Sequence, residues 1–417
     1  MFRTIVLNLL RDSRVGALEL VLPDGETRFF GGLSKTCVAK IHIREENFFR
    51  RIVFFGPIGF GESYMAGEWD SPDLTAVIAF FILNAEHSDA LRKPERSQTP
   101  LLDLLAATNR FVHIRRHNST SKSKANIRDH YDLSNDFFAL WLDPGLTYSS
   151  ALFDPPTLTL EDAQTKKYDS LCRKLRLVPT DSVLEIGTGW GGFCIHAAKN
   201  FGCRITTTTL SKEQFAKASE RVQQEGLGDR VTVLLEDYRN LRGSFDKIAS
   251  IEMLEAVGEA YVDSYFAQCS KLLRGQGLLG LQAILCPDQQ YLVLKKGVDF
   301  IQKHIFPGSL LMSNARILQA TGATAALNLF HYEDMAPHYA KTLRIWGENF
   351  EVKLPEVRAL GFNEPFLRKW RYYLAYCEAA FATRFITVAQ VLFTKTGNLT
   401  LNKDSPIADM PLACPFR

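Results

Sequence analysis

Val183-Leu184-Glu185-Ile186-Gly187-Thr188-Gly189-Trp190-Gly191-Gly192 decides the fold of this 417-residue chain. A short apolar run passes an acidic residue and breaks into four glycines, after which Phe193–Asn200 has helical spacing. Strand, tight loop and helix follow one another in that order. Glycines let the backbone turn sharply and approach a ligand closely. The first N–H groups of the helix then point into the loop. Downstream the alternation continues, with strands expected at Ser182–Ile186, Arg204–Thr209, Arg230–Leu235, Phe245–Ile251 and Gly277–Ile284. Helices are expected at Gly192–Phe201, Lys212–Glu225 and Tyr261–Leu273. This is the pattern of an α/β doubly wound parallel sheet, whose ligands lie at the carboxyl ends of the strands. Glu185, Thr209, Asp237 and Glu255 stand at or near those ends.

Two ligands compete for such a loop, a dinucleotide and S-adenosylmethionine. A pyrophosphate fingerprint asks for Gly-x-Gly-x-x-Gly and an acidic residue after the second strand. Here the loop reads Gly187-x-Gly189-x-Gly191, and the second strand ends in Thr209-Leu210-Ser211 without a carboxylate. Glu185 before the loop would repel a pyrophosphate, but it suits the amino group or ribose of S-adenosylmethionine. Asp237 can accept from an adenine amino group, with Tyr238 beside it to stack. The set favours S-adenosylmethionine.

The 49 Lys+Arg nearly balance 46 Asp+Glu, which argues against a nucleic-acid binder. Eight cysteines (37, 172, 194, 203, 269, 286, 377 and 414) show no CxxC pair or metal-ligand spacing. They read as reduced thiols of a cytoplasmic protein, with no metal site. Met1–Leu10 lacks a cleavage site, so no signal peptide is expected. No window reaches the roughly 18–20 apolar residues of a membrane span, so any membrane contact is made from the surface.

Residues 1–90 read as a small α+β domain for lipid contact or dimerisation. Ala17–Leu22, the turn Pro23-Asp24-Gly25 and Glu26–Phe30 form a hairpin signal, and Leu74–Asn84 an apolar helix. In Lys40–Phe55 basic and aromatic residues alternate. They are either core packing or a surface for acidic headgroups. Residues 91–125 form a basic linker, 126–400 a catalytic domain and 401–417 a tail. Asp132 or Ser134 could cap a helix presenting Phe137, Phe138 and Trp141. Glu161–Leu175 is strongly amphipathic. Asp288–Phe306 sets Lys295, Lys296, Lys303 and His304 beside an apolar stripe, as in a lid helix or an interfacial one.

His130–Phe153, Val183–Gly192, Thr209–Gln214, Asp237-Tyr238-Arg239-Asn240-Leu241 and Met253-Leu254-Glu255-Ala256-Val257-Gly258 occur in this order. With Gly61-Glu62-Ser63-Tyr64-Met65 and Arg371–Cys377, they resemble the cyclopropane-fatty-acyl-phospholipid synthase family over nearly the whole chain. The mycolic acid cyclopropane synthases are relatives. The resemblance implies a Rossmann-like class I methyltransferase domain behind the small N-terminal one. Its S-adenosylmethionine contacts fall on Tyr148, Ser149, Gly187, Thr188, Gly189, Gly191, Thr209, Leu210, Gln214, Asp237 and Tyr238, beside Glu185.

The implied activity adds a methylene across a cis double bond of a phospholipid acyl chain, at the inner face of a membrane. An alkene is a feeble nucleophile, so the donor must be a methylsulfonium. The cation left on the chain suits a dry, aromatic-lined cavity. A base must then take a proton from the new methyl group, and a side-chain base near the sulfonium risks being methylated itself. The resemblance implies a bound bicarbonate ion as that base. Its pocket maps onto Glu255, Tyr339 and the backbone of Ile284. Ser150 stands where the family has cysteine, and Gln282 where it has histidine; both keep hydrogen-bonding capacity. As buried polar residues, these two could instead be tied to the backbone. Cys377 matches a cysteine once proposed as catalytic and reads as a structural thiol. Methyl-branched or methylene-bearing products are an alternative, and so is a non-catalytic lipid-binding protein. A homodimer is a further expectation.

Overall fold

A computed structural model describes residues 1–32, 38–85 and 134–404. The expected linker 91–125, residues 130–133, residues 405–417 of the tail, Cys37 and Cys414 lie outside them.

The first 85 residues carry a four-stranded sheet, ordered β2-β1-β3-β4: β1 (Ala17–Val21), β2 (Thr27–Gly31), β3 (Val38–Ile43) and β4 (Trp69–Asp70). The expected hairpin is β1 and β2, antiparallel with Ala17 opposite Gly31. The basic and aromatic stretch divides between β3 and the helix Asn47–Met65, which kinks at Gly56 with Pro57 next to it. Phe48 and Phe49 are core residues, and Arg51 and Arg44 pair with Glu68 and Asp70. The apolar helix appears as Leu74–Ala85.

The large sheet runs β11-β12-β9-β8-β5-β6-β7, with the short β10 (Met312–Ser313) beside β9. Strands β5 (Ser182–Ile186), β6 (Arg204–Thr209), β7 (Val231–Leu235), β8 (Phe245–Ile251) and β9 (Leu273–Cys286) are parallel, as the alternation requires. Beyond these five strands the sheet is mixed. The strands β11 (Leu327–Asp334) and β12 (Thr387–Lys395) close the far edge, and β12 enters antiparallel between β9 and β11. Residues Leu184, Ile186, Ile248, Leu279 and Leu281 bury the centre of the sheet. Chain order reverses between β5 and β8, so a crevice opens beyond their carboxyl ends. Gly187 and Glu252 are the first residues past the strands there.

The helix Glu364–Ala382 joins the small sheet to the large one. Arg368 pairs with Asp70 at 2.8 Å and lies 3.9 Å over the Tyr64 ring. Thr75 Oγ1 donates to Glu378 Oε2 at 3.0 Å. Toward residues 288–306, Glu62 meets Lys303 at 2.6 Å and His304 at 2.9 Å. A Cβ on Gly61 would meet the Phe300 ring at 2.5 Å, so this glycine lets the helices close. Asp288–Phe306 forms two helices, Asp288–Lys296 and Phe300–His304. Among the described residues no helix is long and apolar enough to cross a membrane.

Candidate active site

The glycine loop forms the floor of a cavity. Gly187 N and Thr188 N donate to Thr208 O on β6 at 3.0 and 3.1 Å, and Gly191 N to Thr188 O at 3.0 Å. Gly187, Gly189 and Gly191 all take positive φ, which excludes most side chains. The loop's far side is fixed to the preceding segment: Trp190 Nε1 donates to Asn135 Oδ1 at 2.7 Å, and Arg221 binds the carbonyls of Gly145 and Trp190. Ser134 caps the helix Asn135–Ala139, as its position suggested, and Phe137, Phe138 and Trp141 are fully buried.

Tyr148, Ser149, Glu185, Gly187, Thr188, Gly189, Thr209, Leu210, Gln214 and Tyr238 line this cavity together. Gly191 does not: it starts the helix Gly192–Phe201 and lies against Ala218. Nor does Asp237, whose carboxylate turns to Arg239 in a pair of 2.8 and 2.6 Å hydrogen bonds. Glu236 and Arg239 line the wall in its place. Thr209 Oγ1 donates to Gln214 Oε1 at 2.8 Å, and Thr207 Oγ1 to Glu185 Oε2 at 2.6 Å. The lining carries the carboxyl groups of Glu185, Glu236 and Glu252, of which Glu185 keeps its proton up to about pH 8 until a cation joins it, against the single guanidinium of Arg239. That balance suits a ligand with a sulfonium and an ammonium group and opposes a pyrophosphate. No side chain or backbone lies within 4 Å of where a Gly189 Cβ would sit, so space for a ligand begins at that backbone. S-adenosylmethionine fits these residues.

Bicarbonate does not. Of the groups expected to bind it, Ser150 N and Gln282 Nε2 donate to Glu252 Oε1 at 2.8 and 2.9 Å, and Tyr339 OH donates to Glu252 Oε2 at 2.8 Å. The backbone N–H of Ile284 donates to Glu255 Oε1. A protein carboxylate already fills the cradle, and a further anion would face two enclosed glutamates. Two smaller corrections follow. The Ser150 hydroxyl donates to the Ala151 carbonyl, so its backbone rather than its side chain serves the cradle. Glu255 does not line the donor cavity; its Oε2 is buried and has no hydrogen-bond partner among the described residues. Gln282 is oriented by Gln390, which donates to its Oε1 at 3.1 Å.

Glu252 escaped the sequence reading, although it is an acidic residue directly after an apolar strand. Lys167 did too. It lies on the buried stripe of the helix Leu160–Lys174, one turn from Ala163 and from Leu171. Its Nζ donates to Ser149 Oγ at 2.6 Å, lies 4.3 Å over the Tyr168 ring and faces the charges of Glu252, Asp143 and Glu185. Burial brings its ammonium down to about 8.

An aromatic wall stands beside the cradle. The Tyr148 ring is 5.4 Å from Phe138, 5.5 Å from Trp141 and Trp346 and 6.1 Å from Phe306, and its hydroxyl lies 2.8 Å from that of Tyr373. Tyr339 stacks on Phe381 at 4.4 Å. Cys377 belongs to this packing, where burial pushes its thiol up and keeps it neutral.

Burial raises Glu185 from 4.5 to about 8, and burial with the neighbouring Glu252 charge does the same for Glu255. The folded protein therefore holds protons that the unfolded chain releases. The stability these groups add is complete below about pH 4.5 and is lost as pH rises through about 8. Glu255→Gln removes one contribution, so melting temperatures from about pH 5 to about pH 9 should fall less steeply than in the wild type. An unchanged slope would remove Glu255 from this linkage.

The model of the mycolic acid cyclopropane synthetase family matches residues 118–391. Among curated proteins, tuberculostearic acid methyltransferase of Mycobacterium tuberculosis is 38% identical over 91% of this chain and 88% of its own. Cyclopropane-fatty-acyl-phospholipid synthase of Escherichia coli is 37% identical over 86% and 88%. A solved mycolic acid cyclopropane synthase, complexed with SAH and CTAB, superposes with a TM-score of 0.61 at 31% identity, covering 65% of this chain and 98% of its own.

Proposed function

The chain belongs to the mycolic acid cyclopropane synthetase family, and we propose that it methylates a cis double bond in the acyl chain of a membrane phospholipid. S-adenosylmethionine supplies an electrophilic methyl group when bound. The residues of the chain do the rest. Glu185, Thr209, Gln214 and Tyr238 hold the donor over the glycine loop. The carboxylate lining favours its positive charge. Tyr148, Trp346, Tyr339 and their neighbours present aromatic faces to the cation that follows methyl transfer, and keep water away from it.

The acidic cavity beyond the carboxyl ends of β5 and β8, set against that aromatic wall, carries this reading. Loss of a proton from the new methyl closes a cyclopropane ring. If hydride first shifts along the chain, the same loss gives a methylene branch. Both products leave the enzyme without any outside reductant, whereas a saturated methyl branch needs one in a later step. Incubation with S-adenosylmethionine and dioleoyl-phospholipid vesicles, followed by mild hydrogenation and mass spectrometry, separates the two. The ring survives, while the methylene chain ends two hydrogens heavier. Acyl chains that gain no carbon at all would defeat the proposal.

Access from a membrane surface has its own support. Leu292 and Val293 are 61% and 54% exposed on the helix Asp288–Lys296, next to Lys295 and Lys296. Leu292→Glu with Val293→Glu should lower turnover on anionic vesicles about tenfold or more, given the ~1.5–3 kcal/mol gained by burying such side chains. S-adenosylmethionine affinity should not change. Equal turnover on vesicles would remove this helix from the lipid-facing surface.

A further inference from the structure

Glu252 is built into the site in a way that a structural glutamate does not require. It follows β8 with φ 47°, a left-handed conformation that is uncommon for a residue with a long side chain and costs about 1 kcal/mol or more. Its backbone N–H is fixed to Gln282 O at 2.7 Å, so the strain is held in place. The side chain turns into the donor cavity, where it forms part of the lining. Its carboxylate takes three donors, Ser150 N, Gln282 Nε2 and Tyr339 OH, and these are groups that the family resemblance assigns to bicarbonate.

Given the reaction proposed above, we propose that Glu252 is its proton acceptor, a resident carboxylate in the place of a dissolved anion. A C–H bond of the newly added methyl breaks, and its electron pair either closes the third side of the ring or forms the methylene double bond. The proton goes to Glu252 Oε2. The acyl chain becomes neutral, Glu252 is protonated, and the proton later leaves to solvent. No electrons enter from outside.

The hydrogen bonds also narrow where the carboxylate can react. An ionised carboxylate has about four lone-pair directions. Two on Oε1 and one on Oε2 are occupied, so one remains, on the oxygen that Tyr339 steadies. Burial raises the carboxylate above its ordinary range against the lowering by its three donors and Lys167, and that net rise makes it a better proton acceptor.

The test uses the full chain, S-adenosylmethionine and dioleoyl-phosphatidylglycerol vesicles, in buffer stripped of carbon dioxide and in the same buffer with bicarbonate added. Wild-type turnover should be the same in both. Glu252→Gln should lower turnover by about 100-fold or more, a much larger loss than any it causes in donor affinity by calorimetry, while circular dichroism shows that it has folded. Glu252→Gly suits the local backbone and empties the cradle. It should be slow in stripped buffer and regain turnover as bicarbonate is added, a rescue that loss of a merely structural side chain would not give. Wild-type turnover that rises with bicarbonate, or Glu252→Gln turning over normally, would overturn the assignment while leaving the methylation itself intact. A wild type that never modifies the acyl chain would instead defeat the reaction on which the assignment rests.

Discussion

Gly189→Val should abolish measurable S-adenosylmethionine binding while the protein stays folded. At φ 52° a β-branched residue is strained by about 1–2 kcal/mol, a modest loss for a chain of this size. The new Cβ meets no protein atom within 4 Å; it projects into the space left for the donor. Two methyl groups there should weaken binding about 100-fold or more, since each ~1.4 kcal/mol is a factor of ten. Calorimetry reads the binding and circular dichroism the fold. Gly191→Val is the contrast: at φ 90°, its Cβ would lie 3.4 Å from both Ala218 and Ile195, so stability should suffer too. Retained donor binding in Gly189→Val would refute the assignment of the loop.

The second large effect is expected of Lys167→Met. Methionine fills much of the same volume but removes a buried ammonium that faces Glu252, Asp143 and Glu185 and binds Ser149 Oγ. Uncompensated buried charge costs about 3 kcal/mol or more, so the melting temperature should fall by several degrees. The surviving carboxylates relieve the imbalance by taking protons. Glu252 then stays protonated to higher pH, and the acidic limb of the pH–rate profile should move in the alkaline direction. Stability and profile both equal to wild type would show that Lys167 does not hold these charges.

Much of this site was legible because its signals are local. The strands β5, β6 and β8, the glycine loop, the Ser134 cap and the Thr209–Gln214 turn each announce themselves within a few residues. The missed features depend on distance or on backbone angle. β12 enters the sheet between strands far from it in sequence, and no local pattern encodes that order. Asp237 was read as facing the adenine, and the hydrogen bonds it takes from Arg239, two residues on, were not foreseen. Lys167 was not singled out, although its one-turn spacing from Ala163 and Leu171 marks the buried stripe. Glu252 was hidden behind Glu255 in the Met-x-Glu motif. Its importance lies in a positive φ and in three donors drawn from Ser150, Gln282 and Tyr339, more than a hundred residues apart in part.

In the proposed reaction a methyl group reaches an alkene carbon and then loses one proton. S-adenosylmethionine with a fully deuterated methyl group tests both halves at once, with dioleoyl-phospholipid vesicles as acceptor. Mass spectrometry of the acyl chains should find one added carbon carrying two deuterium atoms, whether the product is a ring or a methylene branch. Three retained deuterium atoms, or label confined to the headgroup, would contradict the account.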